Sequence, residues 1–372
     1  MRAIDNIKEP LYVWSYHTTK QIQGSCRLKQ LNSVYLSELS PRDKPWDNRR
    51  AATDGFKALY ENTIHHCYAV RLAQCSCCLE FAFAVDENGL CKLKLQNARF
   101  CRVRLCPVCQ GRRALMWTAK TIQVIPKVLK ENPKARFIML TLTVRNCALS
   151  DLRNTLVDMH QAWRKLIQRK EFKVEGWIRS TEVTRADDDT VHPHYHCLLM
   201  VKPSYFGDNY IKQERWVELW QESLKVSYRP VVDVRAIHAK KTASEGQEAH
   251  PFMSALVEVI KYTVKPSDVL KGDNCQKPGQ RVRMTDQDWL VELTSQLHKT
   301  RAIATGGLLK DYLKVLETEP EDLIHVDENA ETMTDKESPR IDFNWNGKKK
   351  RYQMQDLPTE QTNNDLVISN QV

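Results

Sequence analysis

From residue 136 to residue 237 the chain alternates between short runs that are apolar throughout and longer runs that are apolar along one stripe. Arg136-Phe137-Ile138-Met139-Leu140-Thr141-Leu142-Thr143-Val144 reads as a buried strand. Ser150 then stands where it can cap a helix whose Leu152, Leu156, Met159, Trp163, Leu166 and Ile167 recur at helical spacing. Residues 176–184 and 194–201 predict two more strands, 212–225 a helix with Trp216, Trp220 and Leu224 inward, and 231–237 a fourth strand. A charged stretch over 238–250 precedes a helix carrying Tyr262, which Pro266 is expected to end. Strands mixed with helices, without a regular β-α-β period, predict an α+β domain built on an antiparallel sheet.

Upstream, residues 1–44 form a polar leader, and Trp46, Ala52, Phe56, Leu59 and Tyr60 then recur at roughly helical spacing. Leu79–Val85 and Lys92–Leu95, separated by Asp86-Glu87-Asn88-Gly89, predict a hairpin that would bring the cysteines before and after it together. A helix-like, strongly basic run covers 112–130. Residues 317–372 turn acidic, pass through Lys348-Lys349-Lys350-Arg351 and end rich in Gln, Asn and Thr, a composition that predicts a disordered tail.

The net charge of +10 is unevenly spread: residues 317–342 hold ten acidic and two basic side chains, so the chain before them is more basic than the whole. That excess suits a polyanion, of which nucleic acid is the commonest. The longest apolar runs fall short of a membrane span. The N-terminus, with Asp5, Lys8 and Glu9, has no signal-peptide core, so a cytoplasmic protein is expected.

Twelve cysteines in such a chain point to metal rather than disulfides. Six of them, Cys75, Cys77, Cys78, Cys101, Cys106 and Cys109, fall within 35 residues. Cys101-x4-Cys106-Pro107-Val108-Cys109 offers three thiolates and the Cys75-x-Cys77-Cys78 cluster a fourth, as tetrahedral Zn²⁺ requires. Arg102, Arg104, Arg112 and Arg113 would ring that site as phosphate contacts, unless they are only a solvated basic face.

Two further groups carry chemistry. In His192-Pro193-His194-Tyr195-His196-Cys197, side chains two apart project from one face of a strand, so His194 and His196 form half of a metal site. His192 shares that face, with Pro193 marking a strand start or edge. Glu182, on the preceding strand, is the obvious oxygen donor; the alternative is an exposed strand glutamate. Glu258, Tyr262 and Lys265 align on one helical stripe with Lys261 adjacent, either as reactive groups or as an exposed Glu-Lys ladder around an amphipathic tyrosine.

Taken together, these residues resemble plasmid rolling-circle replication initiators of the single-tyrosine HUH endonuclease class, over about residues 45–315. The Phe137–Thr143 strand looks like the family's first motif, His194-Tyr195-His196 like its histidine motif, and Glu258-x3-Tyr262-x2-Lys265 like its catalytic helix. Phe100-Cys101-Arg102-x-Arg104-x-Cys106-Pro107-x-Cys109 resembles its cysteine block. The resemblance implies an HUH fold, a central antiparallel sheet flanked by helices, preceded by a small cysteine-rich zinc-binding module. The expected division is leader 1–44, helix and DNA-contacting zinc module 45–115, nicking-joining nuclease domain 116–316 and tail 317–372.

It further implies Tyr262 as nucleophile, Glu258 as activator of water in the closing step, and His194 and His196 as ligands of Mg²⁺ or Mn²⁺. Glu182 and His192 compete for the third ligand position. Cys75, Cys101, Cys106 and Cys109 would bind Zn²⁺, with Cys78 an alternative to Cys75, and Lys265 or Lys261 would favour the phenolate and hold the phosphate. The implied partners are plasmid origin DNA in single-stranded or hairpin form, a host helicase and single-strand-binding protein, with no membrane. An HUH relaxase or transposase would share the chemistry, but the chain lacks a Gly-rich phosphate loop and places its cysteine block first. A non-enzymatic zinc DNA-binding regulator is the reading from another class.

Overall fold

The computed structural model describes residues 34–85, 91–237, 251–260, 263–272, 284–314, 323–324 and 340–355. In chain order the elements are α1 (Leu36–Leu39), α2 (Pro45–Tyr60), α3 (His66–Ala73), β1 (Cys78–Val85), β2 (Cys91–Ala98), α4 (Pro107–Glu131), β3 (Arg136–Thr143), α5 (Leu152–Leu166), β4 (Val174–Arg185), β5 (Val191–Val201), α6 (Gln213–Leu224), β6 (Val232–Ile237), α7 (Pro251–Val259), α8 (Pro266–Val269), α9 (Asp286–Leu297), β7 (Ile303–Gly306), α10 (Gly307–Lys314), β8 (Arg340–Asn346) and β9 (Arg351–Met354). None of the described helices is long and apolar enough to cross a membrane. The chain divides into two compact units, residues 1–51, 76–99 and 328–372 in one, 52–75 and 100–327 in the other.

The smaller unit is built on an antiparallel sheet of order β2-β1-β8-β9. Its buried face aligns Phe343 with Leu79 on one side and Met354 on the other, and Trp345 with Tyr352. The Tyr352 hydroxyl donates to the Ser76 carbonyl at 2.6 Å, and its backbone N–H donates to Asp47 at 2.9 Å. The expectation of a disordered tail over 317–372 is therefore corrected for residues 340–355. Ile341, Phe343 and Trp345 alternate with Asp342, Asn344 and Asn346, and Asn346-Gly347 opens the turn, so the segment buries one apolar face despite its acidic approach. The Lys348–Lys350 run forms the exposed turn of this hairpin.

In the larger unit the sheet order is β6-β3-β5-β4-β7, with every pairing antiparallel. β5 is central and both of its faces are covered. On one face Leu198 and Met200 meet Val124 and Val128 of α4, Leu256 and Val259 of α7, and Leu309 and Leu313 of α10. On the other, Tyr195 lies with its ring centroid 6.4 Å from Trp163 of α5 and 6.4 Å from Trp220 of α6. Ser150 does not cap α5; it sits in a 3-10 turn over Leu149–Asp151, with Asp151 at the N-cap position. Pro193 is tolerated in β5 because the pairing with β3 stops at His194, leaving only β4 alongside it.

The expected boundary between a zinc module at 45–115 and a nuclease domain at 116–316 is not found. α4 runs unbroken through it, carrying Cys106 at its N-cap and Cys109 in its first turn while its later residues enter the sheet's core. Residues 100–327 fall in one compact unit, so the division of the structure does not pass through this helix.

The turn from β7 into α10 demands glycine. Gly307 has φ +58°, and a Cβ there would lie 2.1 Å from the Glu175 carbonyl oxygen, whereas Gly272, at φ +78°, has open space around it. Gly272→Ala should cost the αL penalty of about 1–2 kcal/mol. Gly307→Ala must also displace backbone of β4 and should cost clearly more. Denaturant midpoints of the two variants compare them directly, and equal midpoints would contradict the packing described.

Candidate metal centre

The pairing of β4 with β5 sets Glu182 opposite His194 and Ser180 opposite His196, and the pairing of β3 with β5 sets Thr141 opposite His196. Residues opposite one another share a face and stand about 5 Å apart. The result is a convergence of three buried groups, Glu182, His194 and His196, able to hold a metal ion. Glu182 Oε2 lies 3.3 Å from His194 Nε2 and 3.0 Å from His196 Nε2.

The outer nitrogens are occupied, which turns the inner ones toward the centre. His194 Nδ1 lies 3.1 Å from the His192 carbonyl, and His196 Nδ1 lies 3.3 Å from the Thr141 hydroxyl. With the Nδ1 proton held by that carbonyl, Nε2 is the nitrogen of His194 that would face a cation, exchanging its contact with Glu182 for it. The spacing fits one: metal bonds of about 2.1 Å at right angles separate their donors by about 3.0 Å, and at tetrahedral angles by about 3.4 Å. A two-histidine, one-carboxylate set also leaves positions open for an exchangeable ligand.

Glu182 is only 2% exposed. Burial pushes its carboxyl up, but hydrogen bonding to His194 and His196, together with the charges of His194 and Lys265, holds it well below the usual carboxylate range. Lys265 Nζ lies 3.1 Å from the other carboxylate oxygen, Oε1. Partial burial lowers the Lys265 ammonium pKa, and Glu182, Asp268 and Glu258 raise it by more, so it stays charged. Asp268 was not singled out from the sequence, and nothing in the local pattern marks it.

His192 does not join the trio. Its ring stacks on that of His194 with centroids 5.2 Å apart and bonds the Val144 backbone; burial and the neighbouring His194 lower its pKa. Of the two competitors for the third position, the structure therefore gathers Glu182. Thr141 is a participant that sequence reasoning missed, although its place two residues before the end of β3 was legible.

Glu258 and Lys265 do not share a helical stripe. α7 ends at Val259, where the Ser180 hydroxyl donates to the Val259 carbonyl, and Val183 N–H donates to the Thr263 carbonyl at 2.8 Å. The β-branched run Thr263-Val264 favours that strand-like pairing over another helical turn. Pro266 does not end a helix but starts α8, at the position where its missing N–H costs nothing. Glu258 is half-buried near the end of α7, and Lys265 precedes α8. Tyr262 and Lys261 lie outside the described residues.

A second group, Cys75, Cys101, Cys106 and Cys109, also converges and is fully buried. Its sulfur separations of 3.6, 3.7 and 3.6 Å match the edge of a tetrahedron, about 3.8 Å for metal–thiolate bonds of about 2.3 Å. The Cys101 and Arg102 backbone N–H groups donate to the sulfurs of Cys75 and Cys109. Contact with the Cys101 and Cys106 sulfurs pushes the Cys75 thiol up, contact with those of Cys101, Cys106 and Cys75 pushes Cys109 up, and at Cys106 burial is outweighed by hydrogen bonds with Cys101, Cys109 and Cys75, which push it down. A bound cation would let the thiols ionise together. The hairpin serves as expected, closing at its base with the Ser76 N–H bonded to the Arg99 carbonyl at 2.6 Å. Cys78 is not in the group; it opens β1, paired with Asn344.

The arginines of this block divide. Arg112 is a correction: it is 2% exposed, and its guanidinium donates to the Leu323 and Ile324 carbonyls, each at 2.8 Å, so it is not open to a phosphate. Arg104 is half-buried and bonded to the Thr300 carbonyl, with burial and then Arg113 lowering its pKa to about 10. Arg102 is exposed, and Arg113 donates to its carbonyl.

The replication-protein family Rep_1 matches residues 92–353 of the chain. A protein named Protein rep from Streptococcus pneumoniae serotype 2 (strain D39 / NCTC 7466) is 34% identical over 325 residues, covering 84% of this chain and 92% of the relative. Relatives of the same name from Bacillus amyloliquefaciens and Lentilactobacillus hilgardii are 37% and 33% identical, covering 70% and 77% of this chain and 77% and 88% of their own. No solved structure matches.

If the trio binds a cation, removing its carboxylate or loosening an imidazole must weaken it. In a calorimetric Mn²⁺ titration, Thr141→Val should lower affinity by about 10- to 100-fold, in the range for losing a partner behind a ligand. Glu182→Gln should lower it further. Unchanged binding in Glu182→Gln would remove the site.

Proposed function

Because the chain belongs to the Rep_1 replication-protein family, we propose that this plasmid replication initiator opens rolling-circle synthesis by nicking one strand of its origin, with Tyr262 as nucleophile. In this reading the larger unit is an HUH nuclease whose sheet presents Glu182, His194 and His196 to Mg²⁺ or Mn²⁺. The observation that carries it is the convergence of those three groups beside Val183, which is bonded to Thr263, the residue following Tyr262.

The bound cation would supply polarisation of a non-bridging oxygen of the scissile phosphate. The Tyr262 phenolate, its proton passed to solvent, attacks phosphorus; the bond to the 3′-oxygen breaks, and that oxygen takes a proton from solvent and leaves as a 3′-hydroxyl. The 5′-phosphate stays esterified to the tyrosine, so the free end primes synthesis and the bond energy is kept for rejoining. Lys265, charged and already beside Glu182, holds the phosphate or favours the phenolate, with Lys261 as a second cation. Glu258 accepts a proton from water in the closing step, which ends a round by hydrolysis.

Cys75, Cys101, Cys106 and Cys109 hold Zn²⁺, which contributes folding energy where α4 begins. Arg102, with Arg113 behind it, contacts phosphates of the origin. The scissile strand must be single, as in an extruded hairpin. Host helicase and single-strand-binding protein in the cytoplasm then extend the opening. Membership of a replication family favours copying over the strand transport of a relaxase or transposase.

Supercoiled origin plasmid incubated with the protein and Mn²⁺ should give a covalent adduct mapped to Tyr262. Tyr262→Phe should abolish the adduct and keep DNA binding, and chelation should abolish nicking. Origin binding without any adduct in the unsubstituted protein would leave a DNA-binding regulator and overturn the proposal. Glu258→Gln should nick at near-normal rate yet accumulate unreleased product, and equal loss of both steps would refute the division of roles.

A further inference from the structure

Before Lys265, the described residues Thr263 and Val264 belong to neither a helix nor a strand, yet they are 7% and 1% exposed. Buried backbone groups there need partners. They find them in one side chain. Gln110, in the first turn of α4 and 6% exposed, accepts from the Thr263 N–H through Oε1 at 3.1 Å. Its Nε2 donates to the Leu105 carbonyl at 3.1 Å and lies 3.5 Å from the Val264 carbonyl. The Thr263 carbonyl in turn accepts from Val183, next to Glu182, so that residue is gripped on both sides.

Gln110 is itself anchored by a separate contact. It follows Cys109 directly, its N–H donates to the carbonyl of Cys106 at 2.9 Å, and both cysteines belong to the thiolate group. We infer that Gln110 is a positioning residue for nicking: its amide ties the first turn of α4, which carries the cysteine group, to Thr263 and Val264, and so fixes beside Glu182 the peptide that follows the proposed nucleophile. The inference rests on the nicking reading above.

The residue type suits the task. Only an amide offers an acceptor to Thr263 and a donor to Leu105 and Val264 together; asparagine is one methylene shorter, and glutamate has no donor when ionised. A glutamine that merely filled the interior would affect stability, whereas one that places a nucleophile acts on the chemical step, where a misplacement of about 1 Å costs on the order of 100-fold.

The test compares the full chain with Gln110→Met, which keeps the volume and removes the amide, using a single-stranded oligonucleotide spanning the nick site with Mn²⁺. Zinc content and oligonucleotide KM should stay as in the unsubstituted protein. The Thr263 amide should lose hydrogen-exchange protection, and kcat should fall on the order of 100-fold. Unchanged kcat with protection lost, or a change confined to KM, overturns the role of Gln110 and leaves the nicking reading intact. Absence of cleavage by the unsubstituted protein overturns that reading instead. Should the methionine variant lose its zinc or its cooperative melt, Gln110→Glu carries the same test. It keeps the acceptor for Thr263, so the Thr263 amide should stay protected and most of kcat should be retained, and a fall on the order of 100-fold with Thr263 still protected overturns the inference.

Discussion

The candidate metal centre depends on the register between β4 and β5. A slip of one residue would turn Glu182 to the opposite face from His194 and His196 and dissolve the trio. That register is held because β5 is buried on both sides. Leu198 and Met200 must reach α4, α7 and α10, while Tyr195 must reach α5 and α6. The opposite face also holds Arg179, 4% exposed, with its guanidinium 4.1 Å from the Tyr195 ring centroid and 5.2 Å from that of Trp163. A cation so enclosed by aromatic faces fits one alignment of the strand and not the next.

A buried carboxylate between two imidazoles costs solvation free energy that a purely structural core would avoid. Here the cost is offset by hydrogen bonds to both rings and by the Lys265 ammonium, with room for a cation as the remaining counter-charge. The cysteine group poses the same problem in sulfur, four buried thiols pressed together with sulfur separations of 3.6 and 3.7 Å. Both clusters lie in one compact unit and are tied through α4, so the cysteine block is part of the scaffold of the sheet rather than an appended module.

Much of this was legible in one dimension because its physics is local. Alternating histidines declare a shared strand face, apolar residues at helical spacing declare the stripes of α5 and α6, and Cys-x4-Cys-x2-Cys declares ligand geometry. The failures are equally instructive. The acidic stretch before residue 340 hid the short alternation Ile341-Phe343-Trp345, since composition averages over a segment while a strand needs only one apolar face. The stripe through Glu258 and Lys265 assumed a helix that β-branched residues and pairing with Val183 cut short. Arg112 counted as surface charge until two carbonyls, more than two hundred residues away, claimed it.

What the sequence determined by itself was the inventory: an α+β chain, the two histidines on one face, three of the thiolates, and the class of chemistry these residue types support. Each follows from periodicity or spacing within a few residues, which the backbone converts directly into direction. What only the tertiary structure decided was selection among equals. It chose Glu182 over His192, Cys75 over Cys78, and Gln110 as the clamp on residues 263 and 264. Those choices turn on strand register and on contacts between segments far apart in the chain, set by how the whole core packs and carried by no local pattern.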